Sequence, residues 1–296
     1  MSRGAAERWA QARTFHHSLY SPERIAAQRT GPISVCLPAR ECAGTVGAIV
    51  AQLQLLRAAG AIDEIVVVDA ASADGTAEVA SRAGATVHQE AELLPQFGPV
   101  LGKGDAMWRA LSVLRGESVC FLDADSEDFA AHFCSGLLGP LVCECGVGFV
   151  KGFYRRPFEQ DGISLPEGGG RVNHLTARPA LALFYPELAG VRQPLAGEVA
   201  ARRELLERLP FATGYGVEIA MLIDAWKELG AQGVAQVDLE IHHNRHQSLQ
   251  ALTPMAYIVL ATIARRLECD GRLRGGEQDS PQVVERPPLA SLRAPR

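Results

Sequence analysis

Ser118-Val-Cys-Phe-Leu-Asp-Ala-Asp125 is a short apolar run that ends in two carboxylates two residues apart. The apolar part has the length of a strand buried on both faces, and the acids stand where such a strand runs out. The same design recurs upstream. Ile33-Ser-Val-Cys-Leu37 is stopped by Pro38, Glu64-Ile-Val-Val-Val-Asp69 again ends in an acid, and Ala85-Thr-Val-His88 reads as a third strand. Between them residues 45–59, 75–83 and 103–114 carry helical spacing. Strands that are apolar throughout and alternate with helices imply an α/β fold, a Rossmann-like and mostly parallel sheet flanked by helices. Ligands of such sheets bind beyond the strand C-termini, so Pro38, Asp69 and Asp123 are expected on one edge.

Beyond Asp125 the alternation loosens. Residues 135–141, 200–209 and 251–268 read as helices, 234–241 as a strand, and Gly168-Gly-Gly170 as a flexible loop. The division that follows is an N-terminal arm lying on the domain (1–31), a first half (32–150), a smaller second half with a C-terminal helix (151–268), and a tail (269–296). The tail is rich in Gly, Pro, Arg and Glu without periodicity, and is expected to be disordered.

A chain of 296 residues can bury a large core, and its 47% hydrophobic and 21% charged residues are ordinary globular values. A net charge of -5 argues against a general nucleic-acid binder, whereas a small anion needs only a local basic cluster. The first thirteen residues lack the apolar core of a signal peptide. The longest apolar run, 255–264, is too short to span a bilayer and reads as a buried or dimer-interface helix, with a homodimer the expected assembly. Seven cysteines, scattered through apolar segments such as Val35-Cys36-Leu37, read as buried, reduced thiols of a cytoplasmic protein. Cys143 and Cys145 have no partners at zinc-site spacing and read as core filling.

Asp123-Ala-Asp125 forms a compact site for a hard divalent cation, Mg²⁺ or Mn²⁺. Such an ion bridges the diphosphate of a nucleotide sugar and stabilises the charge that develops as UDP or GDP leaves. Asp-x-Asp alone is a weak signal; its place at a strand end gives it weight. After the second strand, Asp69 and Ser72 are assigned to nucleoside contact, and Asp74 and Thr76 to capping the next helix. Gly102-Lys-Gly104 opens a helix where glycines let a ligand approach and Lys103 brings positive charge to a phosphate, the alternative being a solvated lysine.

Leu37-Pro-Ala39, the segment Val68 to Thr76, Gly102-Lys-Gly104 and Phe121-Leu-Asp-Ala-Asp125 together resemble the nucleotide-sugar half of the GT-A glycosyltransferases. Val150-Lys-Gly-Phe-Tyr-Arg-Arg-Pro157, Gly168-Gly-Gly-Arg-Val172, Gln193-Pro-Leu-Ala-Gly-Glu198 and the segment Leu209 to Glu218 narrow the likeness to the glucosyl-3-phosphoglycerate synthases and their mannosyl relatives. The resemblance gives Pro38, Ala39, Asp69, Ser72 and Lys103 to the nucleotide, and Asp123, Ala124 and Asp125 to diphosphate and metal. It gives Gly170, Arg171, Val172 and Asn173 to the acceptor phosphate or carboxylate, and Tyr215 and Glu218 to the transferred sugar and acceptor pocket. Asp125, Glu218 and Lys103 are then the groups nearest the chemistry. An arginine on a glycine loop offers an anion both its fork and backbone N–H groups. Lys151, Arg155 and Arg156 add positive charge, with solvated surface expected for at least one.

The chain departs from the pattern at three points. Glu41-Cys-Ala43 stands where relatives have Asn-Glu-Glu, leaving Glu41 a candidate for the base or ribose. Asn173 replaces a threonine in the acceptor loop. The family's third metal ligand is a histidine after a late strand; an ungapped match puts Asn244 there and a one-residue slip His243. Imidazole suits the ion better, which favours His243 and leaves His246 to the acceptor, with His242 facing away.

The resemblance implies a retaining transfer of glucose from UDP-glucose to the 2-hydroxyl of 3-phosphoglycerate, by same-face attack. GDP-mannose is the nearest alternative donor. A polyprenyl-phosphate sugar transferase shares the first-half motifs, and a non-catalytic sugar-nucleotide sensor would not need an acceptor arginine. A nicotinamide site is disfavoured because no G-x-G-x-x-G follows the first strand.

Overall fold

The computed structural model of the chain describes residues 3–160, 163–165, 169–243, 248–273 and 283–292. Its strands are β1 (Thr14–His16), β2 (Ile33–Ala39), β3 (Glu64–Asp69), β4 (Thr86–Gln89), β5 (Ser118–Phe121) and β6 (Phe149–Arg155). They continue as β7 (Phe158–Gln160), β8 (Ile163–Leu165), β9 (Val199–Arg202), β10 (Phe211–Ala212), β11 (Val234–Ile241) and β12 (Glu285–Arg286). The helices are α1 (Arg3–Arg13), α2 (Pro22–Gln28), α3 (Val46–Ala58), α4 (Thr76–Arg82) and α5 (Lys103–Ala110). After them come α6 (Ala131–Cys143), α7 (Arg178–Phe184), α8 (Arg203–Arg208), α9 (Val217–Gly233) and α10 (Leu249–Cys269).

One sheet has the order β1-β11-β6-β9-β5-β2-β3-β4. Neighbours in it are parallel, except that β9 runs antiparallel to both β5 and β6. This is the α/β sheet that the alternating pattern implies. Successive residues of its central strands enter different cores: Cys36, Val66, Val68 and Phe121 pack on one face, Val35, Ile65, Val67 and Cys120 on the other. β-Branched residues on both faces are what a strand covered by helices on each side requires. The chain order reverses direction between β2 and β5, the switch point where a crevice opens above the strand C-termini. Pro38 lies past Phe121, the last residue of β5, so its missing N–H leaves no rung of that ladder unmade.

Four expectations are corrected. The N-terminal segment does not merely lie on the domain: β1 is the edge strand of the main sheet, and the buried Trp9 donates from Nε1 to the carbonyl of Val234 at 3.1 Å. Residues 200–209 are not one helix, because Val199, Ala200 and Ala201 are buried between β5 and β6 as strand β9 and only Arg203–Arg208 is helical. The tail is ordered at 283–292, where β12 pairs with β10 and Leu289 is buried. Cys145 and Cys269 are exposed, so the thiols do not all fill the core, although no cysteine is in a disulfide. The boundary at 150/151 falls inside β6, so both halves stand on one sheet.

Candidate functional site

β2 and β3 end in register, with Ala39 opposite Asp69 and the Ala39 carbonyl accepting from Ala70 N at 2.9 Å. Asp69 is buried; its Oδ2 accepts from Ser72 N and Gln89 Nε2, while Oδ1 is buried with no hydrogen-bond partner among the described residues. An unpaired buried carboxylate oxygen is costly, and a ligand N–H would satisfy it. The two loops above these strands are tied together. Glu41 N donates to Ser72 Oγ at 2.9 Å, and Glu41 Oε1 accepts from Ala73 N at 2.9 Å. Ser72 and Glu41 therefore hold the loops to each other. Asp74 accepts from Thr76 N and Ala43 N, and Thr76 Oγ1 accepts from Cys42 N; the N-cap position of α4 is Gly75, without a side-chain cap, so both residues tie the loops together where capping was expected.

The acidic pair sits just beyond β5. Thr45 Oγ1 donates to the Ala124 carbonyl at 2.6 Å, fixing the backbone between the two acids. Asp123 faces Lys103, whose Nζ lies 2.5 Å from Asp123 Oδ1 and 3.0 Å from Glu218 Oε1. Lys103 is thus no solvated lysine. It comes from the first turn of α5 and Glu218 from that of α9. The two helix starts meet because Gly104 has no side chain: a Cβ there would stand 2.9 Å from Val217 Cβ and closer still to the Ala212 carbonyl. Burial disfavours the Lys103 ammonium, but Asp123 and Glu218 outweigh it and hold the group protonated well above the ordinary lysine range. Burial likewise raises the Asp123 carboxyl, and Lys103 reverses this and lowers it. Asp125 is exposed to solvent, yet the surrounding protein and then the Asp123 charge push its carboxyl up. Among the described residues no cation pairs with it.

Behind Asp123 lies a buried polar layer. Gln193 brackets Tyr154, accepting from its N–H and donating to its carbonyl. Lys151 Nζ donates to the Ala196 carbonyl, and Asn173 Oδ1 accepts from Leu195 N at 3.0 Å. These bonds fix the 193–198 loop, which carries Gly197 under the Asp123 carboxylate. Glu198 accepts from Tyr154 OH at 2.8 Å, and Arg156 donates to the same hydroxyl at 2.7 Å. Burial, then the Asp123 charge, raises the Glu198 carboxyl to about 7, and burial brings the Lys151 ammonium down to about 8. The sequence gives Lys151 a role only as nearby positive charge, and Glu198 and Tyr154 none, although all three stand within the quoted motifs. The signal was a glycine and an acid after a small residue in Leu195-Ala-Gly-Glu198, which only the antiparallel β9 brings to Asp123. Of the three basic residues expected nearby, Arg155 is the solvated one.

Gly168 lies outside the described residues, as do Asn244 and His246. Gly170 has a left-handed φ of 69° and leads into Arg171, which is partly buried, and Val172, which is buried. Asn173 is buried with its oxygen committed to Leu195, so it positions the 193–198 loop. Tyr215 is exposed on the 3₁₀ turn Gly214–Gly216 before α9, three residues from Glu218. His242 does not face away: it is buried, its Nε2 lies 2.8 Å from Ser126 Oγ, and its ring packs on Tyr154. His243 is exposed and turned to Asp128, with Nδ1 2.7 Å from Oδ2. Among the described residues its nitrogens do not gather with the Asp123 and Asp125 oxygens into one ligand cluster.

The residues present fit a hard divalent cation at the strand end, because Asp125 offers oxygens with no paired cation beside an Asp123 already half-neutralised by Lys103.

Residues 34–157 match the family model described as Glycosyl transferase family 2. A glucosyl-3-phosphoglycerate synthase of Petrotoga mobilis is 44% identical over 212 residues, 72% of this chain and 65% of that protein, so the match spans just under two thirds of its length. One from Mycolicibacterium smegmatis is 42% identical over 244 residues, 78% of this chain and 80% of the relative. The crystal structure of a mannosyl-3-phosphoglycerate synthase from Rubrobacter xylanophilus superposes with a TM-score of 0.89 at 43% identity, covering 98% of each chain. That of the Mycobacterium tuberculosis glucosyl-3-phosphoglycerate synthase with Mn²⁺, UDP-glucose and phosphoglyceric acid gives a TM-score of 0.82 at 38% identity, over 95% of this chain and 99% of the other. With the fold, the strand-end acids and relatives of this identity and coverage in agreement, the chain is a glycosyltransferase and belongs to the glucosyl-3-phosphoglycerate synthase family.

Proposed function

We propose that the protein transfers glucose from UDP-glucose to the 2-hydroxyl of 3-phosphoglycerate, with retention of anomeric configuration. The observation that carries this is Asp123 clamped between Lys103 and the glycine loop, with Asp125 open beside it. Asp125, with Asp123, would hold Mg²⁺ or Mn²⁺, which when bound neutralises charge on the leaving diphosphate. Asp69 Oδ1 accepts from the base. Glu218 is engaged by Lys103, which supports a positioning role and not that of a covalent nucleophile; the acceptor proton then leaves to the departing diphosphate. Arg171, on its glycine loop, binds the acceptor's phosphate or carboxylate. His243, Asn244 or His246 completes the metal site, and Tyr215 contributes to the sugar and acceptor pocket.

EDTA should abolish turnover and Mg²⁺ or Mn²⁺ restore it; full activity of metal-free protein would rule the site out. Arg171→Ala should raise the KM for 3-phosphoglycerate about ten- to a hundredfold and leave that for the nucleotide sugar nearly unchanged. Equal movement of both would remove Arg171 from the acceptor site.

GDP-mannose is the second reading, favoured by the mannosyl-3-phosphoglycerate synthase structure that covers 98% of this chain. Asp69 does not separate the two, since uracil N3–H and guanine N1–H are both donors to a carboxylate. A direct comparison of kcat/KM for the two donors does. We also read the protein as a cytoplasmic homodimer. Cysteines in no disulfide support the compartment, and exposed Leu183, Leu249, Tyr257 and Leu260 on α7 and α10 support the dimer, which light scattering tests.

A further inference from the structure

At the outer edge of the sheet, His16 ends β1, His17 follows it, and Glu240 stands near the end of the neighbouring β11. The Nε2 atoms of His16 and His17 lie 3.6 and 3.1 Å from the same oxygen, Glu240 Oε1. These ligand atoms all fall within 4.8 Å of one another. Two ligands on a tetrahedral ion with arms of about 2.0–2.1 Å are separated by about 3.3 Å, so the observed separations straddle that edge. We propose that His16, His17 and Glu240 bind a transition-metal ion of the Zn²⁺ class, at a site separate from the Asp123–Asp125 pair.

Three further observations support a built site. His17 Nε2 is buried and, although it stands 3.1 Å from Glu240 Oε1, has no partner with hydrogen-bond geometry among the described residues; a shared ion would satisfy both groups. Glu240 adopts a φ of 71°, rare for a residue with a side chain, at an irregularity in the β11–β6 pairing, and its N–H is held by Asp238 Oδ1 at 2.9 Å. Strain of this kind is kept where it aims a side chain. The rings are also braced from behind. His17 packs on His132 with centroids 4.2 Å apart, and His16 Nδ1 lies 2.8 Å from Ser18 Oγ. His16 Nδ1 also accepts from Ser18 N at 3.3 Å, so the ring is held in one orientation with Nε2 turned to Glu240. Two imidazoles and one carboxylate suit Zn²⁺, Co²⁺ or Ni²⁺ better than Mg²⁺, and half-buried His16 and exposed Glu240 leave room for a water as the fourth ligand. An ion here would fasten the N-terminal strand to the segment that leads to His242.

The test is a Co²⁺ titration of the full chain with Mg²⁺ at saturating concentration, followed by visible absorption and by counting bound ions. The wild type should bind one Co²⁺ more per chain, with the intense bands of a tetrahedral centre, than Glu240→Gln or His17→Ala. Zn²⁺ should raise its melting temperature and not theirs, and Mg²⁺-supported turnover should persist in both variants. The exposed Glu240→Gln decides the matter if His17→Ala fails to fold. Equal numbers of bound ions with equal affinity in the wild type and Glu240→Gln would overturn the proposal.

Discussion

Gly197 lies directly under the Asp123 carboxylate: a Cβ built at position 197 would stand 2.6 Å from Asp123 Cγ and nearer still to its oxygens. The position is therefore closed to every other amino acid unless the acid moves. Gly197→Ala should displace Asp123 by an ångström or so and lower kcat/KM about a hundredfold, with the fold intact by circular dichroism. Undiminished kcat/KM would show that Asp123 need not be held where the structure holds it.

Lys103 joins Asp123 to Glu218 and stays charged through the alkaline range, because the two acids together outweigh its burial. Lys103→Met should lower kcat by about 10²–10³-fold, since a fixed positive charge at a developing anion is lost. Lys103→Arg should not restore it, because a planar fork cannot replace a compact ammonium between two carboxylates. In the wild type no loss of rate between neutral pH and pH 9 should trace to this lysine. A limb in that range that vanishes in Lys103→Met would contradict the assignment.

The ordered piece of the tail tightens the same helix. Arg286 donates from Nε and a terminal nitrogen to Asp105, at 2.8 and 2.6 Å, and Arg109 adds a bond at 3.1 Å. Burial raises the Asp105 carboxyl, but the bonds from Arg286, Leu101 N and Arg109 outweigh it and hold the group below the usual carboxylate range. The folded state thus keeps Asp105 ionised where the unfolded chain begins to protonate. The stability this gives is complete above the ordinary aspartate value of 3.8 and is lost as pH falls below it. Arg286→Ala should cost about 2–4 kcal/mol at neutral pH, measured by urea unfolding, and most of the difference should disappear in acid. A variant as stable as the wild type at neutral pH would mean that the tail segment is only an accessory.

The first half of the site was legible because each acid follows an apolar strand: Asp69 and Asp123 are placed by β3 and β5, and periodicity alone finds both strands. What was missed depends on pairing at a distance. Val199-Ala-Ala-Arg202 has helix-forming residues and becomes a strand only because β5 and β6 leave a gap that its small side chains fill. Without β9 in place, nothing shows that Gly197 and Glu198 lie behind Asp123. The tail was misread because composition says nothing of a single Arg286 that reaches a buried aspartate.

The histidines after β11 are the sharpest case, because the alternation argument sent His242 to the wrong side. A strand alternates only while it is extended, and β11 has a left-handed residue at Glu240, after which the faces exchange. His242 is consequently buried between Phe133 and Tyr154, with Ser126, the residue after Asp125, at its Nε2. His242→Ala should cost about 2–4 kcal/mol, for a lost hydrogen bond and a cavity, and should loosen the Asp123–Asp125 turn. Burial, then the nearby Arg156 charge, lowers its imidazole from 6.5 to about 4. The folded state therefore holds this ring neutral where the unfolded chain would charge it. The stability it contributes is full above 6.5 and is lost as pH falls towards about 4. His242→Gln, which keeps a partner for Ser126 without titrating, should flatten the stability profile across that window. His243→Ala, which removes an exposed ring from Asp128, should change stability by less than about 1 kcal/mol. If His243→Ala also leaves the Mn²⁺ affinity unchanged while His242→Gln reduces it, the third ligand does not come from position 243, and the acidic turn is set by the histidine behind it.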